Sequence, residues 1–160
     1  MFKIRDLVQP RGNVLKEVGI KPGFQVLDFG CGPGGYILPL AKLVGEPGKI
    51  YALDMNPAAI LTVKSLALKN KLENFETILS DGATGLPDGS IDVVLLYDLF
   101  HYLKKPEDVL VELHRVLKPG GTLSVSDHHM KSKDIIAAIS AAGLFRLSKQ
   151  GKVLNFSRVG

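Results

Sequence analysis

The sequence predicts a doubly wound α/β domain: a mostly parallel sheet of about seven strands with an antiparallel C-terminal hairpin. Three observations carry this. Short apolar runs alternate with segments of helical period over most of the 160 residues, as in a parallel sheet covered by helices on both faces. The first run, Val26-Leu27-Asp28-Phe29, passes directly into Gly30-Cys31-Gly32-Pro33-Gly34-Gly35, a turn whose glycines can take positive φ and let a ligand approach the backbone. Near the C-terminus the alternation gives way to two strand-like segments joined through Gln150-Gly151.

Taken in order, Asn13 is a candidate N-cap for a short amphipathic helix, VLKEVG, closed by Gly19. Lys21-Pro22-Gly23 then turns into a buried central strand from Gln25 to Phe29. Ile37, Leu40, Ala41 and Val44 carry helical spacing up to Gly45, and Pro39 fits only in the first turn, where its missing N–H is not needed. Lys49 to Leu53 reads as a strand ending at Asp54. Asn56 as N-cap and Pro57 at the first helical position open a helix to about Asn70. Phe75 to Leu79, Ile91 to Leu96 and Thr122 to Ser126 supply three further strands. Between the last two, a helix begins at Pro106-Glu107-Asp108, carries Val109, Leu110, Leu113, Val116 and Leu117, and stops at Lys118-Pro119-Gly120-Gly121. Ser132 is a candidate cap for a helix reaching Gly143, and Phe145 to Ser148 with Val153 to Ser157 form the hairpin.

Length and composition narrow the function. The chain suits one domain over residues 1–160, with a short N-terminal cap of about residues 1–22, and is too short for a nucleotide-binding domain plus a separate catalytic domain. A hydrophobic fraction of 46% with 22% charged residues is that of a globular protein, and no apolar run is long enough to span a membrane. The N-terminal segment lacks the apolar centre of a secretory signal, so a cytoplasmic location is expected. One cysteine, Cys31, cannot make an intrachain disulfide, and no cluster with metal-ligand spacing accompanies it. The net charge of +4 comes from dispersed lysines. Its one modest concentration, Lys3, Arg5, Arg11, Lys16 and Lys21, has no interleaved aromatic residues, which argues against a nucleic-acid partner.

The glycine turn admits two ligands. Gly30, Gly32 and Gly35 satisfy a dinucleotide fingerprint, but Asp28 would set a carboxylate beside a pyrophosphate, and a cationic ligand suits it better. Asp54 ends the second strand about 20 residues on, where a carboxylate can accept from both hydroxyls of a ribose. Asp81, in Ser80-Asp81-Gly82-Ala83, follows the third strand where such folds hold an adenine, and Met55 offers the purine an apolar contact. The string D-x-G-C-G-x-G resembles motif I of class I S-adenosylmethionine-dependent methyltransferases. Ile91-Asp92-Val93-Val94-Leu95-Leu96-Tyr97-Asp98-Leu99-Phe100-His101-Tyr102 and Arg115-Val116-Leu117-Lys118-Pro119-Gly120-Gly121 resemble the later motifs of the small-molecule group, so the resemblance covers about residues 20–130. It implies a Rossmann-like domain that uses S-adenosyl-L-methionine and releases S-adenosyl-L-homocysteine. On these positions it implies that Asp28, Gly30 and Gly32, with Cys31 between them, surround the methionine portion and that Asp54 holds the ribose. Met55, Asp81, Gly82 and Ala83 would frame the adenine, and the Tyr97 backbone would lie near the methionine amine.

Methyl transfer from a sulfonium chiefly requires alignment and exclusion of water, so no metal or protein nucleophile is obligatory. A hydroxyl acceptor would benefit from a base, and His101 and His128, or His129, follow strands whose ends face the crevice. His114 reads as surface or packing. The short N-terminal cap and the short link between the fifth strand and the next helix leave three options for the acceptor side: open, completed by a second subunit as in a homodimer, or shaped for a bulky partner. The expected activity is methyl transfer to a small molecule. The alternatives are a nicotinamide-dependent oxidoreductase, a non-catalytic S-adenosylmethionine-binding module, and an RNA-methylating enzyme. The last is disfavoured because Tyr97-Asp98-Leu99-Phe100 stands where an N-P-P-Y-like string would be.

Overall fold

Continuous apolar runs form the parallel strands of the computed structural model, which describes residues 11–160. The strands are β1 (Gln25–Phe29), β2 (Lys49–Asp54), β3 (Phe75–Leu79), β4 (Ile91–Tyr97) and β5 (Leu117–Ser126), followed by the hairpin β6 (Phe145–Gln150) and β7 (Leu154–Arg158). They make one seven-stranded sheet in the order β3-β2-β1-β4-β5-β7-β6. β1 pairs in parallel with both β2 and β4, while β7 runs antiparallel to both β5 and β6. The doubly wound sheet and its terminal hairpin therefore stand as the sequence predicts.

Strand alternation sorts the core into two layers. Val26, Val93 and Leu95 pack with Ile37, Leu40 and Val44 of α1 (Ile37–Val44) and with Val63 of α2 (Pro57–Lys69). Leu27, Phe29, Val94 and Leu96 pack on the other face with Leu110, Leu113 and Val116 of α3 (Pro106–Val116) and with Ile135 and Ile139 of α4 (Ser132–Ser140). Pro39 lies in the first turn of α1, and the Asn56 side chain caps α2 by accepting from Ala58 N–H at 2.9 Å.

Five boundaries differ from the sequence reading. Residues 11–15 are helical and Lys16 N–H donates to Gly12 C=O, so Asn13 lies inside this turn and is not its cap. Burial of Leu15 and Val18 overrides the capping preference. Lys131, extended at φ −75° and ψ 145°, is the N-cap of α4, and Ser132 is its first residue without a capping bond. That helix ends at Ser140, before Gly143. Leu117 leaves α3 to pair with Ile91, so Lys118-Pro119-Gly120-Gly121 belongs to β5 instead of forming a loop. Proline forbids helix continuation there, and a register shift between Ile91 and Val93 absorbs the irregular stretch. Gln150 belongs to β6, and residues 151–153 make the hairpin turn. Lys3 and Arg5 lie outside the described residues, as do residues 1–10 of the expected N-terminal cap.

Candidate active site

The strand order reverses between β1 and β4: from β1 the chain winds one way to β2 and β3 and the other way to β4 and β5. In such a sheet the crevice at the carboxyl ends of these strands is the place for a ligand. Asp28, Asp54, Tyr97 and Asp127 all come from this end, since Asp28 pairs with Ala52 and Leu95, Asp54 with Leu79, and Tyr97 with Ser126.

Asp28 shares the face of Val26 and is buried, with Oδ2 left without a hydrogen-bond partner. Burial, helped by the nearby Asp54 carboxylate, pushes its carboxyl up to about 7. A buried, unpaired carboxylate is an unfavourable element for a fold to carry, and a cation brought to it removes the penalty. The adjacent Cys31 is buried, and burial with the Asp28 and Asp54 charges raises its thiol to about 12, which removes it as a nucleophile and leaves a small turn residue. The Tyr97 ring is buried, its hydroxyl 2.6 Å from Ser124 Oγ, and the Tyr36 ring meets it edge-on at 5.0 Å with Arg11 over the outer face of Tyr36.

The glycine turn holds Asp54 as well as being held by it. Gly30 and Cys31 N–H both donate to Leu53 C=O, and Gly32 N–H donates to Asp54 Oδ2 at 2.9 Å. Asp54 Oδ1 accepts from Asn56 N–H at 2.9 Å, so the carboxylate clamps the turn to the start of α2. A carboxylate oxygen can accept more than one hydrogen bond, so Asp54, with one at each oxygen, has capacity left for ribose hydroxyls. A Cβ on Gly30 would stand 2.6 Å from Leu99 Cδ2, whereas one on Gly32 would meet nothing within 4 Å. Gly30 is thus fixed by close packing and Gly32 faces open space. Asp54→Ala is expected to weaken S-adenosylhomocysteine binding by about 1 to 3 kcal/mol, the scale for hydrogen bonds to a charged group, with the fold retained. Calorimetry alongside a thermal melt checks both parts.

Met55 is 69% exposed and Leu79 59% exposed, two large apolar side chains presented at the ends of neighbouring strands. Leu79 is absent from the sequence-based set, although its place as last residue of the third strand could have marked it. Asp81 and Ala83 are exposed, and Gly82 N–H donates to Ser80 Oγ at 3.1 Å. This loop is anchored by Thr84, whose N–H and hydroxyl both donate to Glu112 Oε2. Arg115 holds Glu112 in place and draws its carboxyl down to about 2.

The histidines separate into two kinds. His101 sits in the short helical turn Phe100–Tyr102 after β4, with its Nδ1 2.6 Å from Asp127 Oδ2. Asp127 also accepts from the backbone N–H of His101 and of His129. Burial alone would raise the Asp127 carboxyl, but these hydrogen bonds outweigh it and hold it below the ordinary value. The Asp127 side chain is fully buried and that of His101 is 18% exposed. His128 instead pairs with Asp98 at 2.7 Å with its side chain 84% exposed, a solvated rim pair. His114 packs edge-on against Phe145 and bonds Val159 C=O, the second of the two roles, surface or packing, read from the sequence. Among the described residues no group of three or more His, Cys, Asp or Glu side chains is arranged to hold a metal.

A family model described as "Methyltransferase domain" matches residues 20–152. The chain belongs to this methyltransferase family. It is 32% identical over 117 residues to an arsenite methyltransferase of Halobacterium salinarum, covering 72% of this chain and 30% of that protein. It is 35% identical over 125 residues to a demethylmenaquinone methyltransferase of Lactococcus lactis, covering 75% of this chain and 47% of the relative. The chain thus spans half or less of the length of these two relatives. A solved S-adenosylmethionine-dependent methyltransferase from Aquifex aeolicus superposes with a TM-score of 0.81 at 28% identity, covering 98% of this chain and 97% of that one.

Membership of the methyltransferase family implies S-adenosylmethionine, and the crevice fits it. The unpartnered buried Oδ2 of Asp28 suits a cationic group, the open side of Gly32 leaves room, Asp54 keeps hydrogen-bonding capacity, and Met55 with Leu79 offers apolar surface. The nicotinamide-dependent alternative gains no support from family membership. No helix among the described residues is long and apolar enough to cross a membrane.

Proposed function

We propose that this methyltransferase domain transfers a methyl group from S-adenosylmethionine to a small-molecule acceptor. The observation that carries the reading is the buried, unpaired Asp28 carboxylate oxygen beside the glycine turn, which suits a cationic donor and opposes a pyrophosphate. When bound, S-adenosylmethionine supplies an activated methyl group on sulfur. Asp28, Gly30, Cys31, Gly32 and the Tyr97 backbone would hold its methionine part, Asp54 its ribose, and Met55, Asp81, Gly82 and Ala83 its adenine.

On the acceptor side, His101 follows β4, the neighbour of the strand that carries Asp28, and His128 follows β5, one strand further out. Burial favours His101 as the working residue and leaves His128 at the rim. The chain's overall activity is proposed for a cytoplasmic enzyme, with a second copy of the chain able to complete the acceptor side. The small-molecule class is supported by the arsenite and demethylmenaquinone named for two relatives.

The testing experiment compares S-adenosylhomocysteine and NAD by calorimetry, then follows labelled methyl from S-adenosylmethionine into fractionated cell extract. Saturable binding of the first ligand, none of NAD, and label in a low-mass product are expected. NAD saturation without response to the adenosylated ligand overturns the proposal. With a turned-over acceptor in hand, His101→Ala is expected to reduce transfer about 100-fold and His128→Ala less, with cofactor affinity kept in both. Equal parental rates in both variants would remove the histidines from the chemistry.

A further inference from the structure

We propose that Asp127 is the positioning residue that makes His101 a general base, and that the acceptor consequently carries a hydroxyl group. The inference rests on the methyl-transfer reading above and names the acceptor class of that site. Neither partner reveals the pair in sequence, because 26 residues separate them; adjacent parallel strands bring them together, Tyr97 being paired with Ser126 just before the two loops.

The geometry defines the tautomer. A carboxylate can only accept, so the 2.6 Å contact to Asp127 Oδ2 places the proton of neutral His101 on Nδ1 and leaves the lone pair on Nε2. Asp127 cannot swing away, since its side chain is fully buried and both oxygens also accept backbone N–H groups, from His101 on Oδ2 and from His129 on Oδ1. The imidazole is flanked as well, by the Tyr102 ring at 4.0 Å and the His129 ring at 4.2 Å. An imidazolium formed at His101 is stabilised by the carboxylate behind it, which a surface histidine lacks. His128 has a similar contact to Asp98, but with both partners in solvent the pairing exerts little control.

A base fixed in this way is useful only if the acceptor must lose a proton as it reacts. Nε2 takes the hydroxyl proton, and the oxygen's electron pair forms the bond to the methyl carbon. The carbon–sulfur bond breaks with its pair going to sulfur, which leaves as a neutral thioether, and the imidazolium returns its proton to solvent. Neutral amines and thiolates can be methylated without this step, so they gain little from the dyad.

Two measurements test the proposal. Nitrogen NMR of histidine-labelled protein reads the tautomer without any acceptor. His101 is expected to be protonated on Nδ1 in the parent and to shift toward Nε2 in Asp127→Ala, where Nδ1 has lost its acceptor. Labelled S-adenosylmethionine is then offered with phenol, catechol and naphthol against benzylamine and thiophenol. Label is expected in a hydroxyl probe, with kcat reduced at least about 100-fold in Asp127→Asn, partly restored in Asp127→Glu, and S-adenosylhomocysteine affinity unchanged. An Nε2-protonated parent, an unaltered rate in Asp127→Asn, or label confined to the amine or thiol overturns the proposal. So does the absence of label in every hydroxyl probe while S-adenosylhomocysteine binds. If that ligand does not bind at all, the methyl-transfer reading itself has failed, and the tautomer measurement still decides the dyad.

Discussion

Asp28→Asn is expected to stabilise the cofactor-free protein and to weaken its binding of S-adenosylmethionine. The two effects have one origin, a carboxyl that the fold raises from 3.8 to about 7 by burial and by the charge of Asp54. Below the lower value the group is protonated in folded and unfolded chains alike and contributes no pH dependence. As pH rises from about 4 to about 7 the unfolded chain gives up its proton first, so stability falls, and above 7 the whole penalty is present. At about 1.4 kcal/mol per unit that penalty is at most about 4 kcal/mol. A buried amide carries its own unmet hydrogen bonds, which reduces the expected gain at neutral pH to about 1 to 3 kcal/mol. Denaturant melts across the acid range check the sign: the advantage of Asp28→Asn is expected at pH above 7 and should vanish near pH 4. A variant less stable than the parent at neutral pH would show that Asp28 is already satisfied in the fold.

A pair of glycine variants separates packing from ligand contact. Gly30 has φ +84° and its missing Cβ would fall 2.6 Å from Leu99, so Gly30→Ala is expected to lose about 2 to 4 kcal/mol from backbone strain and side-chain displacement together. Gly32 has φ +52° but open space around its missing Cβ, so Gly32→Ala should lose only about 1 to 2 kcal/mol of stability. Its methyl would project toward the crevice, and binding of S-adenosylhomocysteine should fall about tenfold or more through lost approach to the backbone. Melts and calorimetry on both proteins make the comparison. Full affinity in Gly32→Ala would place the ligand elsewhere.

Much of this was legible in the sequence because burial on both faces leaves continuous apolar runs. Gln25–Phe29 and Phe75–Leu79 coincide with their predicted spans, and Asn56 caps the helix that Pro57 opens. The cofactor side was readable for a related reason: Asp28, Gly30, Gly32 and Asp54 lie on two consecutive strand ends, within one short stretch of chain. The acceptor side was only half readable. His101 and His128 stand out as single residues, but whether each is anchored depends on burial and on which strand lies beside which. Asp127 therefore went unrecognised as the partner of His101, and Leu99 as the wall against Gly30. The start of β5 was hidden too, because Leu117 continues the helical period of α3 while its pairing with Ile91 draws it into the sheet.

Proton release on binding tests the central claim most directly, since it joins the family's cofactor to the buried carboxyl that the fold leaves unsatisfied among the described residues. Asp28 interacts with Asp54, Cys31, Tyr36 and Tyr97, while Arg11 is engaged with the Tyr36 ring. A cationic ligand should therefore drive the half-protonated Asp28 to its ionised form. Calorimetry of S-adenosylmethionine binding near pH 7, in two buffers of different ionisation enthalpy, is expected to show net release of a fraction of a proton. Affinity should fall about tenfold per unit below pH 7 and level off above it, and Asp28→Asn should abolish both effects. Saturable binding with no proton release and no pH slope in the parent would contradict the account, because the ligand would then be held without calling on Asp28.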